Sequence, residues 1–184
     1  MFFNKTNNNE LFFDPKYPNR LGADAGFGCS ATWGEGVELG EDWCNLLNLY
    51  NGGQPGSSND RICRLAIEYI NQYSPNRIYV LWTLKERREF IDENNQPLRF
   101  NPTHKPNQNK FWHKSMVMLG NEKFDNYNYI KNKTMLEAYC GWKGVELYQL
   151  DMEKFPFHKY PLGSDGMHPG KDWHIDIAKE FLNA

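Results

Sequence analysis

The chain has 184 residues, of which 40% are hydrophobic, 24% charged and 15% aromatic, and it carries a formal net charge of −2. That length fits one domain with a full core and no need of disulfide or metal staples, and the composition excludes a chain disordered throughout. A pI of about 6.2 gives no general electrostatic affinity for nucleic acid or an anionic membrane, so the partner expected is small or neutral. No apolar stretch approaches the length of a membrane span, and Met1-Phe2-Phe3-Asn4-Lys5 lacks the charged lead and apolar run of a secretory signal. The setting expected is therefore the cytoplasm, or a virion if the protein is a phage product. Cys29, Cys44, Cys63 and Cys140 have no C-x-x-C spacing and read as buried thiols in a reducing compartment.

Residues 1–22 read as an extended, Asn-rich arm. Pro15 and Pro18 oppose a helix there, and paired phenylalanines at positions 2–3 and 12–13 could dock the arm on its own domain or on a second copy, giving a homo-oligomer. The domain proper is expected over residues 23–184. Its first strand, around Ala23 to Cys29, is poor in β-branched residues and runs into a glycine-rich turn, Gly28-Cys29-Ser30-Ala31-Thr32-Trp33-Gly34-Glu35-Gly36. A short amphipathic helix is expected over Glu41 to Leu49, then a brief strand Leu49-Tyr50-Asn51 leading into Gly52-Gly53-Gln54-Pro55-Gly56. Ser57 and Ser58 offer an N-cap for a helix with Ile62, Leu65, Ala66, Tyr69 and Ile70 on one face. Ile78 to Trp82 is apolar at nearly every position, as in a strand buried on both faces. Strand, helix, strand, helix, strand is the order of a doubly wound sheet.

Lys85-Glu86-Arg87-Arg88-Glu89 reads either as a solvated helix start with local ion pairs or, from its place after a central strand, as a binding feature in which Arg87 or Arg88 meets a carboxylate or phosphate. Residues 92–110 are rich in Asn, Pro and Gln and read as a long insertion. Helical character returns from Phe111 to Tyr139, with Gly120 and Asn121 as a break. A strand is expected over Val145 to Leu150, an aromatic loop over Asp151 to Gly163, and a last helix over Pro169 to Leu182 with proline in its first turn.

Chemistry concentrates at the two ends of this domain. Ser30 sits in the turn that leaves the first strand, where open α/β folds place their ligands. Asp165-Gly166-Met167-His168-Pro169 sets an acid and an imidazole three residues apart just before the last helix. A serine needs a base to take its proton, and the base needs an acid to fix its tautomer. A metal site from Asp165, His168 and Asp172 has no separate motif behind it, and the remaining histidines lack ligand spacing.

The three blocks Gly28-Cys29-Ser30-Ala31-Thr32-Trp33-Gly34, Asn51-Gly52-Gly53-Gln54-Pro55-Gly56 and Asp165-Gly166-Met167-His168 resemble, in order, blocks of the SGNH (GDSL-type) hydrolase family. The resemblance implies a single-domain, flavodoxin-like, three-layer α/β/α fold with a mainly parallel central sheet. It implies a serine esterase or acyl-hydrolase without cofactor or metal, with Ser30 as nucleophile, His168 as base and Asp165 as its partner. The substrate expected is a small ester, such as an O-acetylated carbohydrate, and an acyltransferase would use the same residues. Backbone N–H groups of Ser30 and Gly56 would face the oxyanion, and Asn51, Gly53, Arg87 and Arg88 would contact substrate. Two blocks depart from the family: Cys29 stands where it has aspartate, and its Gly-x-Asn-Asp block is missing after the middle strand. The oxyanion role of that asparagine then falls to Thr83, Lys85 or Arg87, or the activity is weak. These departures and the aromatic arm suit an alternative function, a non-catalytic binding or structural module such as a phage particle component.

Overall fold

A computed structural model describes residues 22–91, 97–100 and 120–184. The expected arm up to residue 21 lies outside the described residues, as do residues 92–96 and 101–110 of the expected insertion and residues 111–119 of the expected helix.

In chain order the elements are β1 (Ala25–Phe27), a single helical turn α1 (Ser30–Trp33), a second turn α2 (Trp43–Leu46), β2 (Tyr50–Asn51), α3 (Asn59–Tyr73), β3 (Arg77–Trp82), β4 (Arg88–Ile91), β5 (Pro97–Phe100), α4 (Glu122–Lys143), β6 (Glu146–Asp151) and α5 (Lys171–Asn183). Strands β2, β1, β3 and β6 lie side by side in that order, every neighbour parallel, while β4 and β5 form a separate antiparallel pair. The fold is α/β. Among the described residues no helix is long and apolar enough to cross a membrane.

Side-chain alternation on the strands explains how the layers assemble. Ile78, Val80 and Trp82 of β3 point to one face, where they meet Ile62, Leu65, Ala66, Tyr69 and Ile70 of α3 and Leu136 and Cys140 of α4. Tyr79 and Leu81 point the other way, onto Trp43 of α2 and Trp173, Ile177 and Phe181 of α5. Each face therefore has its own apolar core, and both faces of the sheet are covered.

Strand β1 is the least strand-like segment by propensity, yet it is central, flanked by β2 and β3. Its middle residue is Gly26, where an added Cβ would lie 2.4 Å from Cys44 Sγ and 2.5 Å from the Trp43 ring. Close packing of α2 requires the small residue, and sheet pairing supplies what propensity lacks.

Helix ends follow local chemistry. The Ser58 hydroxyl accepts from Arg61 N at 3.2 Å to cap α3, and the Asn121 side chain accepts from Phe124 N at 3.0 Å to cap α4, so the expected break at Gly120 and Asn121 is a helix start. The expected helix over Glu41 to Leu49 shrinks to one turn, because Asn48 takes a left-handed φ of 58° and turns the chain toward β2. Helix α5 begins at Lys171 after Gly170, which moves Pro169 out of the first turn and into a bridge with Leu162. The run at Lys85 to Glu89 opens β4 rather than a helix, and Glu89 is buried between Arg61 and Arg64 instead of solvated.

Candidate active site

Ser30 is the first residue of α1, where a helix has no internal acceptor for its N–H groups. The turn closes at once: Gly34 takes a left-handed φ of 87°, and the N–H groups of Gly34 and Glu35 both donate to Ser30 O at 3.1 Å. Its underside is fixed by Asn51, whose amide donates to Thr32 O at 2.8 Å and to Asp42 Oδ1 at 3.0 Å and accepts from Gly53 N at 2.9 Å. Thr32 in turn accepts from Trp43 Nε1 at 3.3 Å. Asn51 and Gly53, candidate substrate contacts by sequence, are thus buried braces of the serine turn. Gly56 sits in the next turn with a φ of 71°. Cys29 packs in the core with its thiol 4.0 Å from Met152 Sδ.

The opposite wall comes from the segment between β6 and α5. Gly163 N donates to His168 O and Gly170 N to Pro161 O, both at 2.8 Å, closing residues 163–168 into a tight loop with Asp165 near its tip. Asp165 Oδ1 accepts the N–H groups of Met167 and His168 at 2.9 Å each, and Oδ2 faces His168 Nδ1 at 2.6 Å. The two backbone donors, His168 first, and the imidazole hold the Asp165 carboxyl down at about 2. The acid is therefore an anion across the physiological range, and it fixes the hydrogen of His168 on Nδ1. That leaves Nε2 free to accept, and the Ser30 hydroxyl lies 2.9 Å from it.

Residues 138 positions apart meet because two backbones touch. Ser164 N donates to Gly36 O at 2.8 Å, and a Cβ added at Gly163 would lie 2.1 Å from that same oxygen. A Cβ on Gly36 would lie 3.1 Å from His168 Cβ, at a φ of 89° that already disfavours a side chain. The two loops dock glycine against glycine, and the serine, histidine and aspartate align across the contact.

One further group reaches the ring. Glu35 Oε2 is 3.1 Å from His168 Nε2, so the nitrogen facing the serine also faces a carboxylate. Nothing in the sequence separated this glutamate from any other; only its position after a left-handed glycine marks a place where the chain turns back on Ser30.

The loop after β3 behaves differently. Thr83 is buried, with its N–H donating to Asn59 Oδ1 at 2.9 Å and its hydroxyl accepting from Arg87 at 3.1 Å. Lys85 pairs with Glu153 at 3.2 Å and lies over the Tyr129 ring. Arg88 is buried, bonded to Lys85 O, Arg87 O and Asp125 and stacked on Phe124. Arg87 reaches across to the second glycine-rich loop, 3.4 Å from Ser57 O. Of Thr83, Lys85 and Arg87, Arg87 is the one whose side chain bonds to the loop that carries Gly56. Among the described residues no group of three or more His, Cys, Asp or Glu side chains is arranged to hold a metal ion.

The chain matches no protein-family model, and it matches no curated protein. Function has to be argued from the geometry.

Proposed function

We propose that this protein is a serine ester hydrolase of SGNH-like, three-layer design, acting on small esters. The observation that carries the reading is the continuous hydrogen-bonded line from Ser30 Oγ through His168 to Asp165, with spacings of 2.9 and 2.6 Å. Ser30 Oγ attacks the acyl carbonyl while its proton passes to His168 Nε2, and Asp165 stabilises the imidazolium that forms. The tetrahedral oxyanion collapses as the ester bond breaks, and the leaving alkoxide takes the proton from Nε2. A water then repeats the sequence on the acylated serine, with His168 as base, and releases a carboxylic acid. The oxyanion is assigned to the N–H groups of Ser30 and Gly56 and to the Arg87 guanidinium, which is bonded to the Gly56 loop at Ser57 O. An O-acetylated carbohydrate fits the small acyl group that the resemblance implies.

Hydrolysis of p-nitrophenyl acetate by the wild type beside Ser30→Ala and His168→Ala tests this. A fall of roughly a thousandfold or more in kcat/KM in both folded variants is the expected result. Wild type no faster than Ser30→Ala would overturn it.

A further inference from the structure

Glu35 has no part in a Ser-His-Asp mechanism, yet its carboxylate lies only slightly farther from the base than the nucleophile does. Nε2 of His168 has one hydrogen-bonding position, and Ser30 at 2.9 Å and Glu35 at 3.1 Å are both within reach of that nitrogen. When the ring is neutral with its hydrogen on Nδ1, Nε2 carries a lone pair and can accept from the Ser30 hydroxyl, but an anionic carboxylate only confronts that lone pair. Once Nε2 carries a proton, the carboxylate becomes a rival acceptor for it. Among the described residues no lysine or arginine pairs with Glu35, and its side chain is 37% exposed against 15% for His168. The carboxylate is thus held beside Nε2 by the turn that holds Ser30, and it is more exposed than the ring it faces.

That position fixes what it meets in a complex. The leaving oxygen must approach Nε2 closely enough to take its proton, so the carbon atoms bonded to that oxygen pass beside Glu35. From this we infer that Glu35 is a specificity-determining residue for the alcohol half of the ester, accepting a hydrogen bond from a hydroxyl next to the ester oxygen. Resting on the hydrolase reading, this assignment names the substrate class of that site as an acylated polyol. A neighbouring hydroxyl gives the carboxylate a partner of its own and leaves Nε2 to Ser30. An alcohol bearing a carboxylate at the same place is repelled.

Three acetates with the same acyl group separate these effects: glycerol 1-acetate, propyl acetate and O-acetylglycolate. In the wild type kcat/KM is expected to be about tenfold or more higher for glycerol 1-acetate than for propyl acetate, and lowest for O-acetylglycolate. Glu35→Ala should bring the first ratio close to one and raise O-acetylglycolate relative to propyl acetate. Glu35→Gln keeps an acceptor oxygen but no charge, so it should retain part of the polyol preference while losing the discrimination against the anion. A purely structural role for Glu35 would lower all three rates together. Unchanged ratios in both variants would overturn the assignment. A wild type that cleaves none of the three faster than Ser30→Ala would instead sink the hydrolase reading beneath it.

Discussion

Two clusters of polar side chains are arranged in opposite ways. In the first, Ser30 and Glu35 after β1 meet Asp165 and His168 from the segment between β6 and α5, with their side-chain polar atoms turned toward one another. In the second, Arg88 at the start of β4 is spent on two carbonyls and Asp125, and Arg61 and Arg64 of α3 are spent on Glu89. Asp60, at the start of α3, completes that network by accepting from Asn128 and Asn132 of α4 at 3.0 Å each and from Glu89 N at 3.3 Å. Charge content alone therefore does not mark a site. What distinguishes the first cluster is that its side chains are directed at one another around the His168 ring, whereas the second cluster pins the β4–β5 hairpin to two helices.

Substitution in each cluster should separate the two arrangements. Asp165→Asn keeps an oxygen for the backbone N–H groups of Met167 and His168 but removes the anion that fixes the ring tautomer. A loss on the order of 10³–10⁴ in kcat is expected, with the urea midpoint nearly unmoved. Arg88→Met should do the reverse. It leaves Asp125 half-buried without its cation, at a cost of about 3 kcal/mol in urea unfolding, while the rate of the folded protein changes far less than in Asp165→Asn. A variant of Arg88 that folds normally and loses activity would erase the contrast and return this arginine to the site.

This division also governs what the sequence could disclose. Helix α3 and strand β3 were legible because burial imposes a period, 3.6 on one and apolar at nearly every position on the other. That Ser30, His168 and Asp165 meet could be anticipated because all three stand in glycine-containing turns at the two ends of the domain. Strand β1 was visible only through the glycine-rich block beside it, since Gly26 is dictated by the Trp43 ring packed upon it and not by strand propensity. The hairpin at Arg88–Ile91 and Pro97–Phe100 was hidden for a related reason: Arg88 and Glu89 look like surface residues, and their burial depends on Asp125, Arg61 and Arg64 from elements distant in the chain. Glu35 was missed because its meaning lies in a contact 133 positions away, across the Gly36 and Gly163 junction.

The smallest expected effect concerns acid, and it tests whether the loop after β6 is held by charge as well as by its backbone. In the folded chain the Asp165 carboxyl sits at about 2, lowered by the N–H groups of His168 and Met167 and by the imidazole, whereas a free aspartate titrates near about 3.9. Between those values the unfolded chain binds a proton that the folded chain does not, so stability rises with pH there. The contribution is complete above about pH 5, declines as pH falls through the unfolded value, and is gone once the folded carboxyl protonates, below about 2. Urea midpoints taken between pH 5 and pH 3 should therefore fall slightly more steeply for the wild type than for Asp165→Asn, and the two should run parallel from pH 7 to pH 5. Because Asp165 is exposed to solvent, the difference in slope should be modest, and it should shrink further in high salt. Equal slopes throughout would mean that the loop is held by its backbone bonds and the glycine junction alone, leaving the Asp165 charge to serve the imidazole.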